Sequence, residues 1–208
     1  EKELILNSQL IVPDNKIIEV DEVLSRRLSG EPVSKIFGKR DFYKSTFFIS
    51  EDVLDPRPET ELIIEIANNF ILDKGYKNFI DLGTGSGCII LSILKDNKNL
   101  NALGIDISYK AINIAQKNSM NLNLEKQATF IVSNWLSPIS DFYDLIISNP
   151  PYIPSKDIDT LSNNVKNYDP LLSLDGGYDG LKCYREIAED INRTISKKGR
   201  VILEIGFN

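Results

Sequence analysis

Asn78-Phe79-Ile80-Asp81-Leu82-Gly83-Thr84-Gly85-Ser86-Gly87-Cys88-Ile89-Ile90 is the stretch that decides the fold. Its first five residues, Asn78 to Leu82, read as a strand. The glycines mark a tight turn, and the apolar run from Cys88 to Leu94 predicts a helix. Glycines at a strand-to-helix turn let a ligand approach the backbone and aim N–H groups at an anion. In Gly83-x-Gly85-x-Gly87 the third glycine comes one residue earlier than in the Gly-x-Gly-x-x-Gly of a dinucleotide fold. Taken alone, the loop reads equally well as a structural turn.

Downstream the alternation repeats. A strand from Ala102 to Ile105 ends in Asp106, and a helix runs from about Tyr109 to Met120. A third strand, Ala128 to Val132, precedes Asn134-Trp135. The fourth, Leu145 to Ile147, runs into Ser148-Asn149-Pro150-Pro151-Tyr152. A long loop from Pro154 to Asp179, a helix from about Leu181 to Ile195 and a fifth strand from Arg200 to Ile205 follow. Strands and helices alternating at this length imply an α/β domain with a parallel, doubly wound sheet. Ligands in such sheets bind beyond the strand C-termini. Gly83 to Gly87, Asp106, Trp135 and Asn149 all fall at those ends.

Each of these positions has its own chemistry. The Asp106 carboxylate can accept from both hydroxyls of a ribose, or it can cap the helix that begins at Ser108. Trp135 offers a flat wall for an adenine, or a core side chain. Pro150 and Pro151 stop the fourth strand, since neither donates to a ladder, and they hold Asn149 on stiff backbone at the strand mouth. The Asn149 side-chain oxygen and a carbonyl of the Pro-Pro unit can accept both N–H bonds of a planar NH2 group, while Tyr152 stacks on its plane. Together the positions outline a nucleoside with a charged tail whose reactive end faces Asn149.

Upstream, Glu19 to Leu28 have helical spacing (Val20, Val23, Leu24, Leu28), with Gly30 and Pro32 as stop signals. Lys35-Ile36-Phe37 and Thr46 to Ser50 read as two short strands of a hairpin. Asp55-Pro56-Arg57-Pro58-Glu59-Thr60-Glu61 leads into an apolar helical run, Leu62 to Ala67, whose first turn is favoured by Glu59 and Glu61. Arg57 between two prolines reads as a fixed cationic arm.

Composition narrows the chemistry. The 208 residues suit one α/β domain with a small appendage, and the absence of histidine excludes Ser-His and Cys-His nucleophiles and disfavours zinc. Cys88 and Cys183 are far apart and in no metal-ligand spacing, so no metal is expected and a reduced, cytoplasmic protein is the simple reading. A net charge of -6 weighs against a nucleic-acid groove. No run has the length and apolarity of a membrane span. The chain begins without Met and stops at Asn208 just after a strand-like run, as a piece of a longer protein would.

Asp81-Leu-Gly-Thr-Gly-Ser-Gly87, Asp106, Asn134-Trp135 and Asn149-Pro-Pro-Tyr152 resemble a class I S-adenosylmethionine methyltransferase that acts on amino groups. Arg57-Pro-Glu-Thr-Glu61, Gly176-Gly-Tyr-Asp-Gly-Leu181, Tyr184-Arg185 and Leu203-Glu-Ile-Gly206 are similar to the HemK/PrmC family, which methylates the glutamine of the Gly-Gly-Gln motif in class 1 peptide chain release factors. The resemblance implies a Rossmann-like class I methyltransferase fold over 59–208, preceded by a β-hairpin linker at 32–58. It also implies that 1–31 is the tail of a helical N-terminal substrate-recognition domain and that the closing antiparallel strand pair is missing.

The resemblance further implies S-adenosyl-L-methionine as cofactor, held by Gly83, Thr84, Gly85, Ser86, Gly87, Asp106, Trp135 and Asn149. By the same resemblance Asn149, Pro150, Pro151 and Tyr152 are expected to bind the release-factor glutamine and act on it. The chain departs from the family pattern at Asn134, where an acid is usual, at Asp55, where an apolar residue is usual, and at Tyr168-Asp169-Pro170. A methyltransferase acting on DNA, RNA or a ribosomal-protein glutamine, and a nucleotide-binding module without catalysis, are the alternative readings. Asp157, Asp159, Asp169, Asp175 and Asp179 are expected to line the approach of a basic partner.

Overall fold

The structure is a computed structural model that describes residues 13–206. Helix α1 (Asp14–Leu28) and a one-turn helix α2 (Val33–Phe37) lead into a hairpin of β1 (Lys39–Phe42) and β2 (Ser45–Phe48). Helix α3 (Glu61–Lys74) follows a 3-10 turn at Pro58–Thr60. Then come β3 (Asn78–Leu82), α4 (Cys88–Asp96), β4 (Asn101–Asp106), α5 (Tyr109–Asn121), β5 (Ala128–Val132) and β6 (Tyr143–Ser148). Short turns of helix, including α6 (Asn163–Lys166), occupy the next stretch before α7 (Lys182–Thr194) and β7 (Ile195–Leu203).

The five strands from β3 onward form one sheet in the order β5-β4-β3-β6-β7, every neighbouring pair parallel. Period-two alternation sends Phe79, Leu145 and Ile147 to one face with α3 and α4, and Ile80, Leu82 and Ile146 to the other with Ile187 of α7. Both faces are apolar because helices cover both. Each fully buried Ile or Leu stabilises the fold by roughly 1.5–3 kcal/mol. The chain order reverses between β3 and β6, and that is where a crevice opens in such a sheet.

The hairpin lies one element later than the sequence predicts. Lys35-Ile36-Phe37 belongs to α2, not to a strand. Pro32 precedes the helix, and Gly38 ends it at φ +63°. The Lys35 ammonium is buried, bonded to the Ser50 carbonyl (2.8 Å), the Val53 carbonyl (2.5 Å) and Asp169 (3.1 Å), which holds this segment as a compact turn. Lys39–Phe42 takes the strand position instead, pairing antiparallel with Ser45–Phe48. Asn118 of α5 docks the hairpin, accepting from the Phe48 N–H (2.7 Å) and donating to the carbonyls of Phe48 (2.9 Å) and Ser86 (2.8 Å).

Other boundaries shift less. Helix α1 starts before Glu19, and Val20, Leu24 and Leu28 on it are exposed. The last strand begins at Ile195 and ends at Leu203. Among the described residues no helix is long and apolar enough to cross a membrane.

Candidate active site

Strand register alone assembles the site. Leu82 pairs with Ile105 on one side and Ser148 on the other, so Gly83, Asp106 and Asn149 are the next residues of three neighbouring strands. Asp106 pairs with Val132, which brings Ser133, Asn134 and Trp135 to the same edge. Ser148 pairs with Leu203, which sets Glu204 beside Asn149. A cavity of about 320 Å³ opens there, lined by Gly83, Gly85, Asp106, Asn134, Trp135, Asn149 and Pro151 among others.

The turn after β3 is held from three directions. Gly83, Gly85 and Gly87 have φ of +69°, +54° and +77°, a region that costs other residues strain. The Gly85 N–H donates to Asp106 Oδ2 (2.9 Å), and the Thr84 N–H donates to the Ile105 carbonyl (2.8 Å). Thr84 Oγ1 donates to Asp81 Oδ2 (2.7 Å) beneath the turn. Of the five residues from Gly83 to Gly87, the first and third border the cavity. Thr84, Ser86 and Gly87 face inward, and a Cβ on Gly87 would press on Ala115 and Leu91 at 3.2 Å.

Asp106 does not cap α5. The Ser108 hydroxyl does so, accepting from the Ala111 N–H (3.2 Å). Asp106 Oδ1 accepts from the Ser108 N–H (2.9 Å), which leaves further lone pairs of the carboxylate directed at the cavity. Burial raises its pKa above the usual carboxylate value, and the Ser108 and Gly85 amides oppose that shift. Trp135 sits at φ +46°, a rare value for a bulky residue. Its indole N–H donates to Glu186 of α7 (2.7 Å), and a Cβ on Gly83 would lie 3.6 Å from its ring. Asn134 is exposed at the cavity rim.

Beyond Asn149 the arrangement divides. Asn149 and Pro151 border the first cavity, whereas Tyr152 borders a second, of about 420 Å³, with Asp157, Asp179, Tyr184 and Gly206. Pro150 is buried between them. The Asn149 amide NH2 donates to the Thr60 hydroxyl (3.2 Å), so its oxygen is the free end. The Tyr152 hydroxyl donates to Glu204 Oε1 (3.5 Å), and the Tyr184 hydroxyl donates to the Glu204 carbonyl (2.7 Å). Burial pushes the Tyr184 pKa up to about 12, and burial followed by the Glu204 charge raises that of Tyr152.

Of the acids expected along the approach, Asp175 borders the first cavity and Asp157 and Asp179 the second, and most of the five are already paired. Asp169 is buried, paired with Lys35 (3.1 Å) and with Arg57 (2.6 Å), so Arg57 is the partner of an internal acid and not an open arm. Asp55 joins this cluster, accepting from Ser34 (2.6 Å) and lying 3.5 Å from Arg40. Asp159 pairs with Lys166, and Asp175 accepts from the Ser155 hydroxyl and the Gly177 N–H. Asp179 pairs with Arg185, which holds its pKa down at about 2. Sequence reasoning assigned no role to Thr60, Glu186 or Glu204. Two of them lie inside quoted motifs, Thr60 in Arg57–Glu61 and Glu204 in Leu203–Gly206. Nothing in the local sequence marks Glu186.

Comparison with known proteins places these features in a lineage. Residues 47–168 match the family described as methyltransferase small domain. The release factor glutamine methyltransferase of Rhodospirillum rubrum is 40% identical over 203 residues, 95% of this chain and 62% of that protein. The release factor glutamine methyltransferase of Caulobacter vibrioides is 40% identical over 194 residues, 93% of this chain and 67% of that protein. The chain thus spans about two thirds of the length of these relatives. Among solved structures, the hMettl16 catalytic domain in complex with MAT2A 3'UTR hairpin 6 superposes with a TM-score of 0.53 at 19% identity, over 68% of this chain and 54% of that one. At that identity it speaks for the class I methyltransferase fold alone.

Proposed function

Because this chain belongs to the release factor glutamine methyltransferase family, we propose that it carries the catalytic site that methylates the side-chain amide nitrogen of the Gly-Gly-Gln glutamine in class 1 release factors. The observation that carries the proposal is the register: Asn149, Asp106 and the bare backbone of Gly83 and Gly85 converge on one cavity. These residues fit S-adenosylmethionine. Gly83 and Gly85 present bare backbone to the cavity, Asp106 offers acceptors to a ribose, and Trp135 walls the same space.

Asn149 does the work on the acceptor. A carboxamide nitrogen is a poor nucleophile, because its lone pair is delocalised into its carbonyl. The Asn149 oxygen, left free by the bond from its NH2 to Thr60, accepts one N–H of the glutamine, and the carbonyl of the adjoining Pro150 is the acceptor we propose for the other. Accepting both raises electron density at the nitrogen and fixes the direction of its lone pair. Bound in the cavity, S-adenosylmethionine would supply a sulfonium methyl to that nitrogen, its sulfur leaving as the neutral thioether and the amide proton going to water. Pro151, which borders the same cavity, sets the amide plane from the flank. Positioning of this kind can lower a barrier by about 7–11 kcal/mol in favourable cases.

The test offers labelled cofactor and full-length protein a release factor, DNA and RNA in parallel at moderate salt. Label on the release factor, and none on a release factor whose Gly-Gly-Gln glutamine is replaced by alanine, is the expected result. Label on nucleic acid instead would overturn the reading.

A further inference from the structure

We propose that Glu204 is a positioning residue of this site, setting through Thr60 which end of the Asn149 carboxamide faces the acceptor. The inference rests on the methyl-transfer reading above and deepens it.

An asparagine amide can sit in either of two orientations, and only one presents its oxygen to an incoming N–H. Here the NH2 end donates to Thr60 Oγ1 at 3.2 Å. A hydroxyl both donates and accepts, so this bond has a fixed polarity only if the Thr60 hydrogen has somewhere else to go. Glu204 provides that place. Strand register sets it beside Asn149, which Thr60 bonds in turn, and the Tyr152 hydroxyl reaches its carboxylate at 3.5 Å. Glu204 Oε2 is buried with no hydrogen-bond partner among the described residues, an acceptor left open beside them.

An ionised carboxylate has no hydrogen to give. It therefore directs the Thr60 hydroxyl toward itself and leaves the Thr60 lone pairs to the Asn149 NH2. Reversing Asn149 would point its oxygen toward an anion. The backbone holds Glu204 in place, because its N–H donates to the Ser148 carbonyl (3.0 Å) and Tyr184 donates to its own carbonyl (2.7 Å).

The orientation holds while Glu204 is ionised and is lost when it takes a proton. Burial raises its pKa above the usual carboxylate value, and Glu59 of the 3-10 turn adds to the shift. The polar groups of Thr60, Tyr152 and Asn149 nearby oppose it. The other charged or titratable groups around it are Tyr184, and Arg57, which acts on Tyr152.

The experiment measures kcat against pH, and cofactor affinity by calorimetry, for the full-length parent, Glu204→Gln, Thr60→Val and the double variant. In the parent, kcat should fall as pH drops through a limb above the ordinary carboxylate range. Glu204→Gln should lower kcat at least about tenfold, a size typical of misplaced reacting groups, and should abolish that limb. Cofactor affinity should stay within about twofold. Thr60→Val should lower kcat similarly, and the double variant should be no worse than the poorer single variant, since both break one relay. A Glu204→Gln enzyme with the parent's kcat and acid limb would overturn the proposal, as would a loss of rate matched by an equal loss of cofactor affinity. A parent that leaves release factors unlabelled would instead count against the methyl-transfer reading itself.

Discussion

Gly85 gives its backbone N–H to Asp106 Oδ2 at 2.9 Å, tying the glycine turn after β3 to the carboxylate at the end of β4. The bond makes Asp106 part of the turn's scaffold as well as of the cavity wall, and so its replacement has two consequences. Asp106→Ala should weaken S-adenosylmethionine by roughly 1.5–3 kcal/mol, about 10- to 150-fold in Kd. Asp106→Asn should lose less, because its amide oxygen still accepts from a backbone N–H. Calorimetry decides the matter: parent-like affinity in Asp106→Ala would reduce the residue to a turn support.

Asp169 is a stability residue with a functional reach. It meets two cations, with the Lys35 and Asp169 side chains only 4% and 1% exposed, and the adjoining Pro170, Leu172 and Ser173 line the first cavity opposite Val53 and Leu54. Removing one partner of a buried pair leaves an uncompensated charge, so Asp169→Ala should cost about 3–5 kcal/mol in denaturant unfolding. Arg57→Ala should cost clearly less, since Arg57 is one third exposed and Lys35 would still hold Asp169. Equal losses from the two variants would contradict this account of the cluster.

Asp81 should make stability depend on pH. Burial raises its pKa from 3.8 to about 7, against the Thr84 hydroxyl and the Ile90 backbone N–H. The native state therefore binds a proton more tightly than the unfolded chain does. The stabilisation is complete below the unfolded pKa near 4 and is lost as pH rises to about 7. Across that window this group should lower stability by up to about 1.4 kcal/mol per pH unit. Asp81→Asn should flatten that part of the profile. Parallel profiles for parent and variant would show that the buried carboxyl titrates normally.

Local patterns in the sequence sufficed where the physics is local. Apolar runs punctuated by glycine and proline located β3 to β6 and their helices, and strand ends located Gly83, Asp106, Trp135 and Asn149. What stayed hidden depends on partners distant in the chain. Lys35 and Asp169 form a buried pair across the fold, which turns a β-like tripeptide into helix and removes Asp169 from the surface. Trp135 and Glu186, 51 residues apart, meet only because α7 packs over the end of β5. Glu204 acquires a neighbour in Asn149 through the β6–β7 register, which nothing within five residues of either encodes.

The central claim is that Asn149 presents a glutamine amide for methylation. Its most direct test is mass mapping of a release factor after incubation with S-adenosylmethionine and either the full-length parent or its Asn149→Ala variant. The account predicts one added methyl on the side-chain nitrogen of the Gly-Gly-Gln glutamine with the parent and none with the variant, which should still bind the cofactor. A methyl group at any other residue, or equal methylation by Asn149→Ala, would contradict it.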